Sequence, residues 1–70
     1  MTNTKLLEDY IEKSGLKRTY IAENLGISRS ALWKKINNES PFDQYQIEKL
    51  CDLLGIRTLT ERNAVFFAKL

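Results

Sequence analysis

Arg29, Ser30, Trp33, Lys34 and Asn37 fall at offsets of one, four and eight residues. A helix across them turns all five to one side and leaves Ala31, Leu32 and Ile36 on the other. A guanidinium, an ammonium, a hydroxyl, an amide and an indole on one face can donate hydrogen bonds and attract anions. Bond-breaking chemistry has no comparable constellation. The sequence has no histidine and only one cysteine, Cys51, so the usual zinc sets, imidazole acid–base catalysis and an internal disulfide are all missing. Glu8, Asp9 and Glu12 lie close together, but they belong on the water side of an amphipathic helix in a chain too small to enclose a substrate. With no nucleophile–base pair and no glycine-rich phosphate loop, the expectation is a protein that is not an enzyme and needs no metal, cofactor or small-molecule ligand.

The charge is unevenly placed. Residues 17–35 carry Lys17, Arg18, Arg29, Lys34 and Lys35 against Glu23 alone, a net +4, while the remaining six basic and eight acidic groups sum to −2. One face should therefore attract phosphate and the rest should not. Seventy residues suit one domain, 1–70, built on tight helix packing. The first residues lack the apolar stretch of a signal peptide, and the longest apolar run, 64–68, is too short to cross a bilayer. A cytoplasmic protein with no membrane partner is expected. Cys51 shares a face with Ile47 and Leu54 and reads as a small buried apolar residue.

The elements that hold the polar face follow from caps and apolar spacing. Asn3 or Thr4 can cap a first helix running to about residue 14, with Leu6, Leu7, Tyr10 and Ile11 as its stripe and Gly15 closing it. A second helix over about 17–25 buries Tyr20 or Ile21, Ala22 and Leu25. Its first turn bears Lys17 and Arg18, cations that oppose the helix dipole, and a nearby phosphate would give them a reason. Gly26 supplies the turn, Ser28 caps a third helix to about residue 37, and Ala22 lets the two helices approach closely. Asp43 and Gln46 form a capping-box pattern for a fourth helix, with Phe42 as hydrophobic staple, Ile47, Leu50, Cys51 and Leu54 buried, and Gly55 at its end. The tail, 59–70, suits a helix started by Thr60, Glu61 and Arg62, although 64–68 is also agreeable to a strand. As a helix it aligns Leu59, Phe66, Phe67 and Leu70 on one side, with Val65 and Ala68 turned elsewhere. An all-α chain with a helix-turn-helix at 18–37 results.

The pattern Ile-Ala-Glu-Asn-Leu-Gly-Ile-Ser-Arg-Ser-Ala-Leu, with Ala22, Leu25, Gly26, Ile27, Ser28 and Leu32 as its core, resembles the Cro/CI-type (XRE) helix-turn-helix family. It departs from that family where Lys35 stands in place of an aliphatic residue and Ile36 follows. The resemblance implies a five-helix lambda-repressor-like DNA-binding domain, and the single domain looks like a stand-alone bacteriophage Cro-like repressor occupying operator DNA as a homodimer. It further implies that Arg29, Ser30 and Lys34 read base edges, Arg29 being suited to a bidentate bond with guanine. Trp33 either joins them in the groove, lying over sugar or a thymine methyl, or packs against the fourth helix. Lys17, Arg18 and Thr19 would hold phosphate, and Ser28, Asn37 and Asn38 would meet the backbone. For the tail, Phe66, Phe67 and Leu70 are candidates for a dimer interface, with completion of the monomer core as the alternative. A second function class stays open: a protein-binding antirepressor or adaptor that uses the helix-turn-helix only as scaffold.

Overall fold

Four helices begin at a side chain that replaces a missing backbone acceptor, and one does not. The computed structural model describes residues 1–69 and contains, among them, α1 (Thr4–Ser14), α2 (Arg18–Leu25), α3 (Arg29–Ile36), α4 (Gln44–Leu54) and α5 (Leu59–Phe66), with no strand. Asn3, Ser28, Asp43 and Thr58 accept from the amides of Leu6, Ala31, Gln46 and Glu61 to start α1, α3, α4 and α5. The Asp43–Gln46 capping box is complete in both directions. At the start of α2 stands Lys17, which has no side-chain acceptor to offer.

Leu7 and Ile11 of α1, Ile21 and Leu25 of α2, Leu32 and Ile36 of α3, and Leu50 of α4 form the centre of the core. Ala22 is 2% exposed where α2 packs on α3 and α4, so its small side chain sets how near the helices approach. Gly26 closes α2 at φ 70°, and Ile27 N–H donates to Ala22 O at 3.0 Å. A Cβ added to Gly26 would meet nothing within 4 Å. Glycine is therefore required there by backbone conformation and not by crowding. Cys51 is buried among these residues, and burial pushes its thiol pKa up, as suits an inert packing group.

The tail differs from the sequence expectation in the face it packs. α5 begins at Leu59, capped by Thr58, and stops at Phe66. Val65 and Phe66 are buried while Leu59 and Phe67 are exposed, so the side that packs is not the one on which Leu59, Phe66 and Phe67 were aligned. Phe66 meets Phe42 edge to face, ring centroids 5.7 Å apart, and is 5% exposed within the chain. Phe67 is half exposed, and Leu70 lies outside the described residues. On α2 it is Ile21 that is buried, with Tyr20 outside.

The first residues run as a strap across two helix ends. Asn3 N–H donates to Val65 O at 2.7 Å, and Ala68 N–H to Met1 O at 2.9 Å, fixing the strap to α5. On its other side Thr4 Oγ1 donates to Ile36 O at 2.7 Å, at the end of α3.

Candidate nucleic-acid interface

On α3 the burial pattern divides the residues cleanly. Leu32 and Ile36 are 1% exposed, whereas Arg29, Ser30, Trp33 and Lys34 all lie on the outside, Trp33 with 56% of its surface open. Trp33 therefore does not pack into the core against α4. Lys17, Arg18 and Thr19 come from the start of α2, and they line a shallow hollow together with Arg29. A second hollow joins Arg18 and Arg29 to Ser30, Leu32 and Trp33. The structure thus brings the first turn of α2 beside the first turn of α3, while Lys34 and Asn37 continue farther along α3.

The start of α2 is electrically unusual. Amides of a first helical turn have no intrahelical acceptor and carry the positive end of the helix dipole. Here no side chain caps them, and Lys17 and Arg18 add positive charge at the same place. Arg18 has one counter-charge, Glu8 of α1, with Nη1 2.7 Å from Oε1. That carboxylate oxygen has no aligned hydrogen bond, so the pair meets by distance alone. Both side chains are about two-fifths exposed (42% and 40%), where such pairs contribute little and the guanidinium stays available to a stronger anion.

The polar residues around the end of α3 split between open and occupied. Ser28 is exposed, and its oxygen caps α3 at 3.0 Å from Ala31 N, leaving its own proton free for an acceptor. The Asn37 amide donates to Trp33 O at 2.9 Å and is exposed. Asn38 is different from the expectation of a backbone contact: its Oδ1 accepts from Thr2 N–H and its Nδ2 donates to Thr2 O, both at 2.9 Å. Its side chain is consumed as a clasp between the strap and the end of α3. The residue also sits at φ 65°, a conformation asparagine tolerates better than most side chains. Lys35, at the position where the sequence departs from the Cro/CI pattern, donates to Pro41 O at 2.8 Å and ties down the loop that follows α3. Neither the clasp nor this tether has a sequence signal, because each joins residues by geometry that spacing does not encode. Tyr20 and Tyr45 are also exposed.

Two apposed helices joined by a glycine turn, with a core-facing side and a cationic outer side, define a helix-turn-helix domain. A family model for bacterial regulatory proteins of the Fis family matches residues 3–38, just over half of the chain, and the protein belongs to that family. The match takes in α1, α2, the turn and α3. No curated protein and no solved structure matches the chain. The Fis-family match overturns the resemblance to the Cro/CI family and with it the reading as a bacteriophage Cro-like repressor. The physical reason is plain in the motif itself. Ala22, Leu25, Gly26, Ile27, Ser28 and Leu32 are what a tight helix-turn-helix requires mechanically, so they do not separate families that share the turn. A Fis-type helix-turn-helix suggests DNA binding and is ordinarily non-enzymatic.

Proposed function

We propose that this protein is a sequence-specific binder of double-stranded DNA that regulates transcription by occupying its site. In this reading α3 enters the major groove and presents Arg29, Ser30, Trp33 and Lys34 to base edges. Lys17, Arg18 and Thr19, with Ser28 and Asn37, meet phosphates on either side. The observation that carries the proposal is the start of α2, an uncapped helix end to which the sequence adds two cations next to Arg29. Unfavourable in isolation, that arrangement becomes favourable when a phosphate supplies the missing acceptor and charge. Such binding would keep the protein with the DNA of its cell; no described helix is long and apolar enough to cross a membrane.

The finer features of the proposal are a lambda-repressor-like packing of the five helices and a homodimer. The first is supported by α2 lying against α4 and α3, and α1 against α3 and α4. The second is supported by scale: one recognition helix reads only a few base pairs, and two copies on one face of the duplex would sit about 34 Å apart. Phe67, half exposed beside Met1, is one apolar group open for that contact.

Selection of binding sites from random duplex DNA tests the reading. Wild type should enrich a defined sequence, and Arg29→Ala or Lys34→Ala should weaken its binding by about 1–3 kcal/mol with helicity unchanged. Affinity indifferent to both substitutions would overturn the proposal and favour a protein-binding adaptor.

A further inference from the structure

The hollow between α2 and α3 has walls of two kinds. Its rim is cationic, Arg18 and Arg29 with the Ser30 hydroxyl, and its open apolar side is the exposed indole of Trp33, since Leu32 beneath is only 1% exposed. A phosphate would satisfy the rim alone and would press a strongly hydrated anion against apolar surface, which is unfavourable. The major groove offers one apolar group, the 5-methyl of a pyrimidine, and one acceptor pair suited to a guanidinium fork, guanine O6 and N7. Arg29 and Trp33 are one helical turn apart on one face, about 5–6 Å between Cβ atoms, and therefore address neighbouring base pairs. Arg29 has no ion-pair partner among the described residues, so its fork is uncommitted, unlike that of Arg18.

We infer that this hollow reads a 5-methylpyrimidine next to a guanine, with Arg29 on guanine O6 and N7 and the methyl group lodged against the exposed indole of Trp33. Trp33 is thereby a specificity-determining residue for methylated pyrimidine, thymine or 5-methylcytosine. The inference rests on the proposed DNA binding and deepens it, because it states which base step the site prefers.

The test begins with the duplex selected by the full chain. Thymines beside guanine are replaced singly by uracil, which removes only the methyl, and then by 5-methylcytosine paired with guanine. At one step the uracil substitution should weaken binding about fourfold, the worth of one buried methyl group, and 5-methylcytosine should bind more tightly than cytosine there. In Trp33→Ala, which alters an exposed side chain and should keep wild-type helicity, the uracil penalty should vanish; Trp33→Phe should retain part of it. Uracil tolerated at every such step, or a penalty unchanged in Trp33→Ala, would overturn the inference while leaving DNA binding intact. Failure of the selection to enrich any sequence would overturn the proposed function and this inference together.

Discussion

At the scale of single residues, pairing decides which groups are free to meet DNA. Arg18 is held by Glu8 in a partly exposed pair, whereas Asn38 engages Thr2 through both its Oδ1 and its Nδ2. Arg18→Ala should lower affinity for any duplex and flatten its salt dependence, since a phosphate contact releases counterions without reading sequence. A loss confined to one sequence, measured by titration at several salt concentrations, would contradict that role. Tyr10 and Glu61 form the other informative pair. Tyr10 O–H donates to Glu61 Oε2 at 2.7 Å and Thr58 Oγ1 donates to Oε1 at 2.9 Å, so the carboxylate joins α1 to the start of α5. The Tyr10 bond, then the Thr58 bond, hold the Glu61 pKa below the usual carboxylate range, and the same Glu61 bond raises that of Tyr10. For a depressed carboxylate the stabilisation is present above its unfolded pKa, about 4.3, and is lost as pH falls through the lower folded value. For the raised tyrosine it is present below the unfolded value, about 10, and is lost as pH rises through the folded one. Thermal melts across pH should therefore show both losses, and Tyr10→Phe should flatten them; identical profiles would contradict the pairing.

At the scale of elements, the caps and the turn carry the architecture. Ala22→Leu should overpack the close approach of α2 and lose about 1–3 kcal/mol in denaturant melts, with DNA binding falling in parallel. A parent-like melt would mean that Ala22 is not at the crossing. Asn38 joins two requirements, the left-handed conformation and the clasp. Asn38→Gly keeps the first and loses the second, and should be less stable by about 1–2 kcal/mol. Asn38→Ala forfeits both and should be lower by roughly a further 1 kcal/mol. These elements also show how far the sequence could be read. The bounds of α1 to α4 were legible because each has a cap or a glycine end with apolar spacing between, as in Asp43, Gln46 and Gly55. α5 was less so: Val65, Phe66 and Phe67 are consecutive apolar residues, and only tertiary contact with Phe42 decides which are covered. The outward set Arg29, Ser30, Trp33 and Lys34 was legible from helical spacing, whereas Asn38 and Lys35 look like any solvated polar residues until the strap and loop meet them.

At the scale of the whole molecule, charge and size set what binding can look like. The basic excess occupies the α2–α3 side, and the apolar Phe67 and Met1 lie with the strap that ends near α5. The chain measures 26 Å between its farthest Cα extents. With side chains added, two copies spaced about 34 Å apart on the duplex would only just touch, so any dimer contact is small and should form more readily on DNA than free. Sedimentation should show Phe67→Ser weakening paired occupancy of a two-site duplex while leaving single-site affinity unchanged. The central claim, that the α2–α3 side meets DNA, is tested most directly by amide chemical-shift mapping during titration with the selected duplex. Shifts should concentrate at residues 17–19 and 28–37 and spare the α4–α5 side. Shifts centred instead on Met1, Phe42 and Phe67, or none at saturating duplex, would contradict it.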